Sequence, residues 1–474
     1  MTTIAARTRA LLTVVVLVTA CTAPTELSVD SDTTSPPDQL GQEGPIGASG
    51  YRFPPSPALA EGPLEPATVS ALDQLVSGID ASLELDALST VIATGDSRLG
   101  WVVADLLRLF QVGRDGEALI DGFERLTGVS LPDSSDYHPW QAVTDHMIAW
   151  DLPAPPGYQD MKRKLFTQVE PAWEPFLADR EADVDWRLVS WGGVFLDDRP
   201  LGDTGFCPRG CIPALDDPVL TDAAGGAWYR NANIIFGVVV NDEAIALPKH
   251  MMEVHEMVNL SIGGRRLGIP YCTLCGSAQA YFLDGNAAWD DELVLRTSGL
   301  LSRSNKMMFE LGSYSLIDTF TGVATSGPLH RAGLVLEQTT VVASTWGEWQ
   351  EEHPATTIVA EDGGLGRRYL EDPLQGRDAA GPIFPVGDVD PRLPAQTLVV
   401  GVISPDGTAV AFPADLARSV AQNGEPVGLA DIRLVSAGSG FRAETDSGDE
   451  LVANQAFWFA WSQFHPETLI WSGP

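Results

Sequence analysis

Val239-Val240-Asn241-Asp242-Glu243-Ala244-Ile245-Ala246-Leu247-Pro248 reads as two apolar strands joined by an Asn-Asp turn, closed by a proline placed to open a helix. The same grammar returns at Ile403-Ser404-Pro405-Asp406-Gly407-Thr408-Ala409-Val410-Ala411-Phe412-Pro413. Downstream of the first hairpin lies Trp346-x-x-Trp349 with His353-Pro354 and Thr356; downstream of the second lies Trp458-x-x-Trp461 with His465-Pro466 and Thr468. Two echoes in one order point to a duplicated unit, about 230–360 and 396–473. The shorter second copy lacks the cysteines, the internal histidines and the methionine pair of the first. The fold class expected is therefore α+β, a duplicated strand-rich domain with a first half at 181–395 and a second at 396–474.

Upstream of this domain the apolar spacing turns helical. Leu72, Leu75, Val76 and Ile79 make one stripe, Trp101 to Phe110 a strongly apolar helix, and Ala118 to Leu126 a third segment. A further helix is expected from Tyr158 to Val169. Such stripes bury only against one another, so 61–180 reads as a smaller helical amino-terminal module. Residues 21–60 are rich in Ser, Thr, Pro and Gly and read as a disordered tether.

The first 20 residues carry an export signal: Arg7 and Arg9, then Leu11 to Val18, then Thr19-Ala20-Cys21. The apolar run is too short for a permanent span. Val18-Thr19-Ala20-Cys21 resembles a lipobox, which makes Cys21 the lipidated residue and the protein an extracytoplasmic lipoprotein held to the cell membrane by its lipid anchor. The chain has 474 residues, 44% of them hydrophobic, enough for sizeable cores. With 29 basic and 64 acidic residues its net charge is −35, which opposes nucleic-acid binding and electrostatic docking on anionic lipid.

Four cysteines remain after Cys21, in two close pairs. Cys207-Pro208-Arg209-Gly210-Cys211 is a tight turn suited to a disulfide in an oxidising compartment. Cys272 and Cys275 are spaced either to grip one metal or to form a redox or structural disulfide. Pro248 to Asn259 reads as a helix on which His255 lies about 140° round from His250. His255, Cys272, Cys275 and Met307 together make a soft donor set, which favours copper first and zinc second. The alternatives are a thiol-disulfide or disulfide-stabilised binding module without metal, and a structural envelope protein. No nucleophile elbow, phosphate loop or dinucleotide fingerprint is present, and no reaction follows from the residues.

Three motifs carry a resemblance: His255-Glu256-Met257-Val258-Asn259, Tyr271-Cys272-Thr273-Leu274-Cys275-Gly276-Ser277-Ala278 and Ser298-Gly299-Leu300-Leu301-Ser302-Arg303-Ser304-Asn305. In these, and in Phe457-Trp458-Phe459-Ala460-Trp461 with His465-Pro466, the chain resembles a bacterial family known only as domain of unknown function 3179 (DUF3179) over roughly 185–473. It departs at Val254, where members often carry Trp, and at Ile317-Asp318-Thr319-Phe320, where they tend to show a Leu-Trp-Ser-Gln-like turn. The resemblance implies a shared site and names no chemistry for it.

Overall fold

A computed structural model describes residues 44–79, 82–132, 138–377 and 381–474. The expected export signal and Cys21 lie outside the described residues. Gly44 to Pro474 forms one compact unit.

The helical part holds Pro66–Val76, Leu85–Ile92, Gly100–Leu107, Gly113–Thr127, Pro139–Trp150, Tyr158–Val169 and Glu174–Ala178. Its core is built from Leu72, Trp101, Phe123, Met147, Trp173 and Phe176, and continues onto Met307, Phe309 and Leu316 of the first sheet. Two indole N–H groups find carbonyls inside that core, Trp101 on Leu152 at 2.8 Å and Trp173 on Ser298 at 2.8 Å. The one buried lysine of this region, Lys162, is held by Asp105 at 2.8 Å and by the Tyr158 hydroxyl at 3.1 Å. Part of the expected tether is ordered, since Gly47 bridges to Asp388 and the Val389 N–H donates to Ile46 at 2.8 Å.

The strands form five small sheets in a propeller-like arrangement, and this overturns the expected duplicated α+β domain. The first sheet is an antiparallel run of Val189–Trp191, Leu295–Ser302, Asn305–Glu310 and Ser315–Asp318. The second centres on the hairpin Met257–Ile262 and Arg265–Cys272, flanked by Leu215–Asp216 on one side and Ala280–Phe282 on the other. The third contains Ile234–Val240 and Glu243–Pro248, the fourth Leu398–Ile403 and Ala409–Pro413, and the fifth Ile432–Ala437 and Gly440–Glu444.

What repeats is one sheet with its helix. In the third sheet Val342–Thr345 pairs antiparallel with the first hairpin strand, and Thr357–Val359 pairs parallel with the second, the helix Trp346–Glu352 crossing between them. Ala453–Phe457, Trp458–Phe464 and Leu469–Ile470 do the same in the fourth. Each helix drops an indole onto a glycine of its hairpin: a Cβ on Gly237 would lie 2.4 Å from the Trp349 ring, and one on Gly401 would lie 2.2 Å from Trp461. The indole N–H groups donate to Thr356 at 2.9 Å and Thr468 at 3.0 Å, and His353 and His465 pack against the indoles as tilted rings with centroids 4.2 Å away. The other three sheets have different strand orders, so the echo marks two blades of five rather than two halves.

The expected 248–259 helix is shorter than its apolar pattern suggests. Lys249–His255 is helical, Glu256 turns left-handed at φ 51°, and the chain leaves as the strand Met257–Ile262. That reversal sends His255 and Glu256 in different directions.

Candidate functional site

The segment after Val189–Trp191 carries Asp197 and Arg199 and ends in the Cys207 to Cys211 turn, whose sulfurs stand at disulfide-bonding distance with Cα atoms 5.4 Å apart. Its footing is a buried network of charge. The Asp197 carboxylate accepts from Arg199 Nε at 2.7 Å, from Arg199 Nη2 at 3.0 Å and from the Ala214 N–H at 2.8 Å. Arg296, fully buried, donates to both oxygens of Asp216 at 2.9 and 2.7 Å and approaches Asp197 at 3.9 Å. Asn259 adds its side-chain amide to Asp216 at 2.9 Å. Two guanidiniums against two carboxylates leave no net charge, the condition under which such burial is tolerated. Arg199 Nη1 also donates to the carbonyls of Asp203 at 2.8 Å and Gly205 at 3.1 Å, so the network fixes the loop from within.

Above this footing lies a cleft of about 380 Å³. One wall is the loop of Asp203, Phe206, Cys207 and Cys211, and the other is the Leu365 to Arg367 segment, with Asp216 and His255 at the base. Phe206 is 85% exposed at the loop tip. Arg367 has no ion pair or hydrogen bond among the described residues, and its guanidinium carbon stands 5.4 Å from the Tyr369 ring centroid. A neighbouring cleft of about 520 Å³ shares Arg367 and is lined by Trp228, Tyr229, His250, Tyr369 and Glu371.

His255 has both ring nitrogens engaged, Nδ1 with the Pro213 carbonyl at 2.7 Å and Nε2 with the Tyr369 hydroxyl at 2.7 Å. Burial lowers its pKa to about 4, against the pull of the Pro213 carbonyl, so the ring is neutral at pH 7. His250 reaches the same tyrosine from the other side, edge-on at 5.9 Å, and stacks on Tyr229 at 5.3 Å. The two histidines therefore brace one aromatic residue between two clefts.

Glu256 turns the opposite way. Its carboxylate accepts from Thr273 Oγ1 at 2.9 Å, and Lys306 Nζ donates to its backbone carbonyl while lying 3.5 Å from its Oε2. Burial lowers the Lys306 pKa, and the charges of Glu256 and Asp197 oppose that. Thr273 belongs to the Cys272 to Cys275 turn, whose sulfurs are also at disulfide-bonding distance.

The four residues of the expected soft-metal set are not brought together. Cys272 and Cys275 lie in the core of the fourth sheet, Met307 lies in the helical core, and His255 is committed to Pro213 and Tyr369. Among the described residues, the one group of three or more His, Cys, Asp or Glu donors within 4.8 Å of one another is Asp197, Cys207 and Cys211, and it can hold a metal ion. Its residues include Asp197, which sequence reading passed over. Arg199, Asp216, Arg296, Lys306, Arg367 and Tyr369 were missed as well. The available signal was Lys306, one of only four lysines in the chain, followed directly by the apolar Met307-Met308-Phe309.

A family model described as a protein of unknown function, DUF3179, matches residues 209–446. No curated protein and no solved structure matches the chain.

Proposed function

The chain belongs to the DUF3179 family, whose matched region holds most of the cleft, and from that premise we propose a lipid-anchored extracytoplasmic binding protein for a small amphiphilic acid. The observation that carries this reading is the pairing of an uncommitted cation with an exposed ring across one cleft. Arg367 supplies a guanidinium without a carboxylate partner among the described residues, on a chain of net charge −35. Phe206, Pro213, Leu215 and Leu365 supply the apolar walls. An anionic head on Arg367 and an apolar body against Phe206 satisfy both. The neutral network beneath the loop, with a Cys207–Cys211 cross-link, supports walls that are set before the ligand arrives, which limits the ordering cost of binding.

A second reading rests on the Asp197, Cys207 and Cys211 group. As two thiolates and a carboxylate it gives three ligands with a fourth position open to the cleft, an arrangement suited to zinc. Both Asp197 oxygens already accept from Arg199, and Arg296 stands 3.9 Å away, so two guanidiniums oppose a cation there. Those charges favour the disulfide and the binding reading.

The test is calorimetric titration of the full chain with phenyl phosphate and with benzoate. Arg367→Ala should weaken binding roughly 10- to 100-fold, the worth of one charge-assisted hydrogen bond. Phe206→Ala should cost several-fold. Equal affinity in wild type and R367A defeats the assignment of the cleft.

A further inference from the structure

The second cysteine pair faces oxygens that a disulfide leaves without a donor. The turn Cys272 to Cys275 follows the strand Arg265–Cys272 and is closed by the Cys275 N–H on the Cys272 carbonyl at 3.2 Å. Gly276 at φ 60° lets the chain pass the Phe457 ring, which would sit 2.9 Å from a Cβ. Opposite is the tight turn Arg303 and Ser304, both left-handed, between Leu295–Ser302 and Asn305–Glu310. It presents the Ser304 carbonyl 3.9 Å from Cys272 Sγ and 3.6 Å from Cys275 Sγ, and Asn305 Oδ1 3.2 Å from Cys275 Sγ. The Asn305 amide is oriented by its Nδ2, which donates to Gln463 Oε1 at 2.8 Å and so turns Oδ1 toward the sulfur. All four residues are buried, none more than 4% exposed.

Neither oxygen takes an N–H or O–H donor among the described residues, and a bonded sulfur has no proton to give. Buried acceptors of this kind call for a thiol proton or a cation. A tetrahedral ion with about 2.3 Å bonds to sulfur and about 2.1 Å bonds to oxygen sets neighbouring S and O ligands about 3.6 Å apart. The S to O separations of 3.9, 3.6 and 3.2 Å scatter about that edge length. Two further polar atoms beside this turn, Ser304 Oγ and Gln463 Nε2, are buried without a hydrogen-bond partner among the described residues, so polar groups border the cysteines alongside the apolar core of the fourth sheet.

We propose that Cys272 and Cys275, as thiolates, together with Asn305 Oδ1 and the Ser304 carbonyl, form a closed structural site for zinc. Two thiolates neutralise a divalent ion, whereas copper(I) would leave one buried negative charge beside the already paired Lys306 and Glu256. Two oxygen ligands also suit zinc better than copper(I). Binding starts from the dithiol: Zn²⁺ forms two bonds to sulfur, and two thiol protons leave to solvent. Where the pair is a disulfide, a dithiol reductant first supplies two electrons and two protons and is itself oxidised to its disulfide. This site is independent of the cleft and uses none of its residues.

The experiment is zinc and cobalt(II) loading of the full chain, treated with a dithiol reductant and then freed of it. Zinc should bind the wild type, and cobalt(II) should give the visible absorption of a tetrahedral thiolate complex. The C207S/C211S double variant should keep both signals, and C272S and C275S should lose both. Asn305→Ala, which keeps the two thiols, should bind zinc 10- to 100-fold more weakly, and its circular dichroism reports whether it folds. Three results would overturn the site: no zinc on the reduced wild type, zinc that survives C272S, or zinc lost only in C207S/C211S.

Discussion

Gly401→Ala places a methyl group where the Trp461 indole lies. The added Cβ would stand 2.2 Å from Cε3 and Cζ3 of that ring, against an ordinary contact of 3.4 Å or more, so ring or strand must move by about 1.2 Å (3.4 − 2.2). Little can give way: Trp461 is fully buried, tied by its N–H to Thr468 at 3.0 Å and packed against the tilted His465 ring at 4.2 Å. Overpacking of this kind costs about 1–3 kcal/mol, and a lost indole hydrogen bond adds about 1. Alanine recovers roughly 0.5–1 kcal/mol over glycine in a strand, which leaves about 1–3.5 kcal/mol of destabilisation. Because Trp461 shares a core with Cys272 and Cys275, the effect should reach the cysteine turn. Thermal unfolding of G401A, with Gly407→Ala as control, measures it. Gly407 has open space around it and a φ of 89°, so its variant bears only the backbone cost, about 1 kcal/mol. A G401A midpoint no lower than that of G407A would refute the packing argument, and Gly237→Ala under Trp349 should repeat the G401A result.

His255, with its pKa lowered to about 4 from an unfolded 6.5, contributes stability that is present above pH 6.5 and lost as pH falls toward 4, roughly 3 kcal/mol in full. Wild type should therefore lose stability relative to His255→Gln over that window, and parallel denaturation curves would contradict it. Asp145 has the opposite sign: burial raises its pKa to about 7, against the backbone N–H groups of Gly387 and Val386, so its contribution is present at pH 4 and lost as pH rises to 7. Asp145→Asn should gain on wild type across that rise, and a constant difference would dismiss the titration. Cys21→Ala should abolish partitioning into detergent if Val18 to Cys21 is a lipobox; a variant that partitions like wild type removes the anchor.

Local pattern carried the helices and the hairpins. The helix expected at Tyr158 to Val169 is present, and the Trp-x-x-Trp, His-Pro, Thr echo corresponds to a real packing unit in which an indole covers a glycine. Its scale was misjudged because the other blades carry no matching motif. Their strands pair across long separations, as Val189–Trp191 does with Leu295–Ser302, and such pairing leaves no short-range signature. The charge network was illegible for a similar reason. Asp216 and Arg296 are 80 residues apart, and in a chain with 64 acidic residues no single carboxylate stands out. The cysteine pairs were visible, but their neighbours were not: the left-handed turn at Glu256 sends His255 to the cleft and leaves Asn305, from another strand, facing the sulfur.

Under the proposed function, the cleft between the Cys207–Cys211 loop and the Arg367 segment receives an amphiphilic acid. Hydrogen exchange of the full chain with and without saturating phenyl phosphate tests it most directly. Exchange should slow in 202–216 and 365–369, with Ala414–Gln422 on the fourth sheet unchanged. Protection confined to other segments, or none at saturation, would contradict it.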